Sequence, residues 1–248
     1  MDPAKFTTIA HREHDLCNPL DPAVLERVTA GLGLSAGDRV IDVGCGKAVL
    51  LVDLARRFGV TGFGVDINAA FLAEGRALAE RHGVATSVTL MQIEASRLEV
   101  EPAAFALALC IGSTHALGGY PETLRALARL VRPGGHMLVG QGYWKRAPDE
   151  EYLVGLGATT DEMTTHDGNI AAGIAEGLDE AGAWTSGTDD WDRYEDLYAR
   201  TVERYVAGHP EDPDTPAMLE RIRRWRETYH RWGRDTLGFG LYLFRRRE

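Results

Sequence analysis

The sequence predicts an α/β fold built on a doubly wound, mostly parallel sheet. From residue 39 onward, short apolar segments typical of strands alternate with segments whose apolar residues recur at helical spacing. The segment at residues 105–111 is apolar almost throughout, as expected of a central strand with helices on both faces. Two helical segments at residues 190–207 and 215–234 precede a last apolar segment at residues 237–244. The chain therefore predicts a sheet with a helical insertion ahead of its last strand.

The first 35 residues come before the predicted sheet. Residues 6–22 carry few apolar side chains, which predicts neither a good helix nor a strand, so we expect a solvated polar arm. Asp21 at the cap and Pro22 in the first turn then predict a helix that ends at Gly31 or Gly33.

Composition and charge restrict the function classes. With 248 residues the chain can bury one large core, and its formal charge of −10 gives nucleic acid no long-range attraction. Cys17, Cys45 and Cys110 are widely spaced and show neither metal-ligand nor disulfide spacing. The first residues lack a signal-peptide pattern, and no apolar window reaches the length of a membrane span. We expect a cytoplasmic protein with no metal, no nucleic-acid partner and no membrane partner, while the oligomeric state stays open.

The first strand of the sheet, residues 40–43, ends in a glycine turn. Asp42 lies near its end, and Gly44 and Gly46 follow, before a helix over residues 47–58. Glycine permits positive φ and close approach of a ligand to the backbone. A dinucleotide fingerprint would need a third glycine where Val49 stands, which weakens an NAD(P) interpretation. The turn is suited to another nucleotide-sized ligand.

A second acid follows about twenty residues later, at the end of the next strand. Asp66 closes residues 60–66, and neighbouring parallel strands end at the same edge of a sheet. A carboxylate at this place can accept hydrogen bonds from both ribose hydroxyls of an adenosine. Helix capping is the alternative role for Asp66.

The remaining strands continue the alternation. Residues 87–91 and 105–111 predict the third and fourth strands, and residues 120–132 predict an amphipathic helix. Pro133, Gly134 and Gly135 end that helix before a fifth strand at residues 136–140. Residues 168–181 then predict a helix and residues 183–186 a short strand.

Taken in order, these motifs resemble the class I S-adenosylmethionine-dependent methyltransferases of the small-molecule type. The resemblance covers residues 39–144, with Ala48 standing where the family commonly has a third glycine. It implies a seven-stranded sheet with an antiparallel last strand and a helical cap over the crevice. It also implies S-adenosylmethionine as cofactor and methyl transfer to oxygen or nitrogen of a small molecule. We expect residues 1–35 to form an arm and lid helix, 36–188 the cofactor domain, 189–235 the cap and 236–248 the last strand.

The resemblance also implies roles for individual residues. Glu94 and Ala95 stand where the family meets the adenine amino group, and Ile111 and Gly112 where the backbone passes the methionine part. The full predicted cofactor set is Asp42, Gly44, Gly46, Asp66, Ile67, Glu94, Ala95, Ile111 and Gly112. His115 follows the fourth strand and is a candidate base, as are His11 and His14 if the arm folds back as a lid. The alternative for each histidine is a structural role.

Aromatic residues are candidates for the acceptor side of the site. Tyr143 and Trp144 follow the fifth strand, and Trp191 and Tyr194 belong to the aromatic-rich cap. Rings at helical spacing also pack cores, so core packing stays open for all four. Two further functions remain as alternatives: an NAD(P)-dependent oxidoreductase, and a nucleoside-binding protein without catalysis.

Overall fold

The computed structural model describes residues 1–248 and contains one seven-stranded sheet. The strand order is β3-β2-β1-β4-β5-β7-β6. The strands are β1 (Arg39–Val43), β2 (Thr61–Asp66), β3 (Val88–Gln92), β4 (Phe105–Ile111), β5 (Val131–Trp144), β6 (Asp179–Thr185) and β7 (Leu237–Arg245). The first five strands pair in parallel, and β7 pairs antiparallel with both β5 and β6. The predicted fold class, including the antiparallel last strand, is confirmed.

Nine helices of seven residues or more surround the sheet. They are α1 (Pro3–Ala10), α2 (Pro22–Ala30), α3 (Val49–Phe58), α4 (Ala69–Arg81), α5 (Tyr120–Leu130), α6 (Glu150–Leu156), α7 (His166–Ala175), α8 (Thr188–Gly208) and α9 (Thr215–Thr228). A π-helical turn, Tyr229–Gly233, and a short helix, Arg234–Thr236, lead from α9 into β7. None of the helices is long and apolar enough to cross a membrane.

The two faces of the sheet are covered separately. On one face Val40, Leu107 and Leu109 pack in a cluster that includes α3 and α4 side chains such as Leu54 and Leu72. The other face presents a second cluster of buried side chains, among them Ile41, Ala108, Cys110, Leu124 and Leu127. The alternation of side chains along β1 and β4 thus buries both faces, which explains why β4 is apolar throughout.

The amino-terminal segment is not the solvated arm that its polarity predicts. Asp2 caps α1 by accepting a hydrogen bond from the backbone of Ala4, and Pro3 occupies the first turn. Phe6, Ile9 and Ala10 are buried against α8 and α9. The helix is therefore stabilised by a tertiary contact with distant segments of the chain, because eight residues alone form a marginal helix.

Two boundaries also differ from the prediction. β5 begins at Val131, so Gly134 and Gly135 lie inside the strand rather than before it, next to a register shift in its pairing with β4. α7 ends at Ala175, since Gly177 has a φ of 80° and turns the chain into a longer β6.

Candidate active site

A cavity of about 720 Å³ lies outside the carboxyl ends of β1, β2 and β4. This is the point where the strand order reverses direction, between β1 and β4. Residues 3–18, which begin with helix α1, cover it, and we call this segment the lid. The cavity has the size of a small-molecule site, for which a few hundred to about a thousand Å³ is usual.

The glycine turn after β1 forms one wall of the cavity. The backbone amides of Gly44 and Cys45 donate hydrogen bonds to the carbonyl oxygen of Val65, at 2.8 and 3.0 Å. Gly44 has a φ of 75°, and a Cβ built on it would lie 2.3 Å from Cβ of Ser113. Only glycine fits there, because β1 and the loop after β4 approach each other too closely for a side chain.

Asp66 connects the turn to the next strand. Its Oδ2 accepts a hydrogen bond from the amide of Gly46 at 2.8 Å, and its Oδ1 accepts one from the amide of Asn68 at 2.8 Å. A carboxylate offers about four acceptor positions, so further donors can still be received. Asp66 lines the cavity, and its geometry allows it to fix the turn and bind ligand hydroxyls together.

Asp42 lies deeper in the same wall and is 6% exposed. Burial, together with the nearby charge of Asp66, raises the pKa of its carboxyl to about 7. No protein donor forms a hydrogen bond with it. An acid of this kind is ready to receive a cationic or donor group, since either would stabilise its charged form.

His115 lies in the 3₁₀ turn Thr114–Leu117 after β4, exposed and on the cavity wall. Neighbouring Thr114 is buried, and its hydroxyl donates to Oε1 of Gln141 at 2.6 Å, which attaches this turn to β5. His115 thus follows the carboxyl end of β4, as expected from the sequence. Its catalytic role stays a prediction.

His11 and His14 have different environments. Nδ1 of His11 donates to the carbonyl of Thr7 at 3.0 Å, and Nε2 accepts from the hydroxyl of Tyr194 at 2.9 Å. Burial lowers the pKa of His11 to about 4. His14 lies away from the cavity wall, and its Nε2 donates to the carbonyl of Tyr194 at 3.1 Å. His11 lines the cavity, and both histidines join the lid to α8. Their predicted catalytic roles stay predictions.

Most of the predicted cofactor residues line the cavity: Asp42, Gly44, Gly46, Asp66, Ile67, Ala95, Ile111 and Gly112. Glu94 does not. Its carboxylate is 58% exposed and forms an ion pair with Arg97, 3.2 Å from Nε. The longer glutamate side chain points to water at the place where the resemblance implied an adenine contact.

None of the four predicted acceptor residues lies on the cavity wall. The ring of Tyr143 packs over Gly238 of β7, and Nε1 of Trp144 donates to the carbonyl of Thr160 at 2.9 Å. Trp191 stacks on Tyr229 with centroids 6.3 Å apart, and Tyr194 bonds His11. The cap packs on the outer side of α1, so its rings fill the space between helices and do not reach the cavity.

Sequence reasoning did not single out several residues of the lid and turn. Leu16, Cys17 and Asn18 line the cavity from the lid, and Lys47 lines it from the turn. Lys47 is buried, its Nζ lying 2.8 Å from Oε2 of Glu74. The only feature of the sequence that marks Lys47 is its position next to Gly46. Its partners depend on the tertiary structure and could not be predicted.

Comparison with known proteins identifies the class. Residues 40–135 match the family described as "Methyltransferase domain". The S-adenosylmethionine-dependent methyltransferase from Geobacter sulfurreducens, solved in complex with S-adenosylhomocysteine, is 31% identical, with 98% of each chain covered and a TM-score of 0.91. The chain therefore belongs to the S-adenosylmethionine-dependent methyltransferases. Membership in this family argues against both alternative functions, the NAD(P)-dependent oxidoreductase and the nucleoside-binding protein without catalysis.

Two further relatives have nearly the same length. A methyltransferase from Thiobacillus denitrificans, also in complex with S-adenosylhomocysteine, is 29% identical over 100% of both chains, with a TM-score of 0.91. The uncharacterized protein YjhP of Escherichia coli K12 is 29% identical over 98% of each chain. The likeness thus includes the lid and cap as well as the cofactor domain.

The residues present fit S-adenosylmethionine. Gly44 and Gly46 leave the cavity wall without side chains, and Asp66 keeps free acceptor positions for the ribose hydroxyls. Asp42 is a buried acid facing the same cavity. The net positive charge of this cofactor suits a wall with two carboxylates.

Proposed function

We propose that this enzyme methylates an oxygen or nitrogen atom of a small molecule bound under the lid. The single observation that carries the proposal is the cavity of about 720 Å³, which runs from the glycine turn past His115 and is covered on one side by α1. A small acceptor fits beside the cofactor in a space of this size, whereas a folded macromolecule does not enter it.

In this proposal the chain's residues bind the cofactor, orient the acceptor and keep water out of the site. Asp66 accepts hydrogen bonds from the ribose hydroxyls, while the carboxylate of Asp42 stabilises the positive charge of the cofactor. S-adenosylmethionine supplies an activated methyl group on sulfur, so the protein's main task is to align it with the acceptor and exclude water. His115, at the exposed end of the cavity, is placed to take a proton from a hydroxyl acceptor.

The charges of the cavity favour a neutral or cationic acceptor. No arginine lines the cavity, and Lys47, its one lysine, is neutralised by Glu74. Asp15 lines the lid side, is exposed, and forms no ion pair. A phosphate or carboxylate on the acceptor would meet these carboxylates and no unpaired lysine or arginine of the chain.

The test is methyl transfer from labelled S-adenosylmethionine to matched sets of acceptors. Each set carries an alcohol, amine, carboxylate or phosphate on the same carbon scaffold. We expect label in alcohols or amines, and at least about fivefold lower kcat/KM for the anionic members of a set, because one charge repulsion at about 4 Å amounts to about 1–4 kcal/mol. The Asp66→Ala variant is the negative control. Preferred methylation of a phosphorylated acceptor or of a protein substrate would contradict the proposal.

A further inference from the structure

The outer face of α1 belongs to the cap. Phe6, Ile9 and Ala10 share a buried apolar cluster with cap side chains, namely Ala199, Val202, Met218 and Ile222. Nζ of Lys5 lies 2.7 Å from Oδ1 of Asp212 and 2.8 Å from Oδ2 of Asp214. Separating α1 from α8 and α9 would expose this cluster to water, so the two move together at lowest cost.

The side of the lid that faces the cofactor domain is held in a different way. Nζ of Lys47 donates to the carbonyl of Arg12 at 2.9 Å, and Nδ2 of Asn68 donates to the hydroxyl of Thr8 at 2.9 Å. Much of the remaining space between α1 and the cofactor domain is the cavity itself. Two hydrogen bonds thus cross this boundary, which we call the seam, beside the contact of the His11 ring with the ring of Phe71.

Both donors are connected to Asp66. Asp66 accepts hydrogen bonds from the backbone amides of Gly46 and Asn68. One carboxylate therefore orients the backbone next to Lys47 and the backbone of Asn68. Lys47 also keeps Glu74 as a partner if the lid leaves, since Glu74 is not part of the lid. Releasing the lid thus removes one hydrogen bond from Lys47 and leaves its charge paired.

We propose that Lys47 and Asn68 form a latch that holds the lid closed over the bound cofactor. The lid opens along this seam while α1 stays packed on α8 and α9. Because Asp66 both contacts the ribose and orients the latch, binding of the cofactor favours the closed lid, and release of S-adenosylhomocysteine requires the latch to open. The inference rests on the cofactor contacts of the proposed function. Lys47 and Asn68 are positioning residues in this scheme.

The test uses two variants that weaken the seam from opposite sides. Lys47→Met keeps the side-chain stem and removes the ammonium, while Thr8→Val keeps the shape and removes the acceptor of Asn68. Thr8 does not line the cavity, so any effect on the ligand has to pass through the lid. Arg56→Met, which breaks an exposed ion pair with Asp53 on α3, is the matched control.

The dissociation rate of S-adenosylhomocysteine is measured on each full-length variant. We expect dissociation to quicken roughly tenfold in Lys47→Met and roughly fivefold in Thr8→Val. The control variant should match the wild type. Unchanged dissociation in both variants would overturn the latch. A wild-type protein that fails to bind S-adenosylhomocysteine would instead refute the proposed function.

Discussion

Replacing Asp42 with asparagine should make the protein's stability less dependent on pH. The carboxyl is buried beside Asp66, and its pKa rises from the ordinary 3.8 to about 7. Between these two values the folded state holds a proton that the unfolded chain has lost. Stability of the wild type therefore falls as pH rises through this window, and the loss is complete above pH 7.

The size of the effect follows from the shift. A difference of about 3 pKa units corresponds to about 4 kcal/mol at full extent, of which about 2.5 kcal/mol should develop between pH 5 and pH 8. Asparagine has nearly the same shape and cannot ionise. The free energy of unfolding of Asp42→Asn minus that of the wild type should thus increase by this amount across that range.

Urea unfolding without cofactor at pH 5, 6, 7 and 8 measures the difference directly. All other ionisable groups are shared by the two proteins and largely cancel. Asp53→Asn, which replaces a half-buried carboxylate paired with Arg56 and Arg57 on α3, serves as the control for the substitution itself. If the difference in the free energy of unfolding between Asp42→Asn and the wild type is constant across this range, Asp42 is not a buried acid without a compensating partner in the cavity wall.

Three other changes test separate parts of the site. Asp66→Ala should weaken binding of S-adenosylhomocysteine at least about 100-fold in calorimetry, since two hydrogen bonds to a charged group are lost; an unchanged Kd would remove Asp66 from the site. Gly44→Ala should lower stability by about 2–4 kcal/mol through its positive φ and its overlap with Ser113. Part of that loss should return in the double variant with Ser113→Gly, and a Gly44→Ala protein that melts like the wild type would contradict the packing. His115→Ala should lower kcat about 100-fold or more for a hydroxyl acceptor and leave cofactor affinity unchanged, whereas full turnover at saturation would exclude a base.

The sheet and the cofactor wall were predictable because their signals are local. Gly44, Gly46 and Asp66 stand at strand ends, and the parallel topology brings strand ends together whatever the rest of the chain does. The long apolar run of β4 likewise carries its own evidence of burial on both faces.

The lid was harder to predict because its partners are distant in sequence. The sequence does contain signals for this helix, namely the cap Asp2, Pro3 in the first turn, and the i, i+3, i+4 series Phe6, Ile9 and Ala10. The pattern is weak because it covers only eight residues and polar residues follow it. Its apolar face is meaningful only against α8 and α9, about two hundred residues away.

The position of the aromatic residues outside the cavity wall could not be predicted for a related reason. Tyr194 and Trp191 could be assigned to the cap from sequence, yet which side of the cap faces the cavity depends on where α1 lies. Once α1 fills the space between the cap and the cavity, those rings contact other helices. Lys47 was missed because a backbone carbonyl, that of Arg12, is its partner on the lid, and no sequence pattern marks such a contact.

A crystal structure of the full chain with S-adenosylhomocysteine tests the central claim most directly. The account requires the nucleoside to lie in the cavity under α1, with both ribose hydroxyls within hydrogen-bond distance of Asp66. Nucleoside density outside that cavity, or ribose hydroxyls out of reach of Asp66, would contradict it.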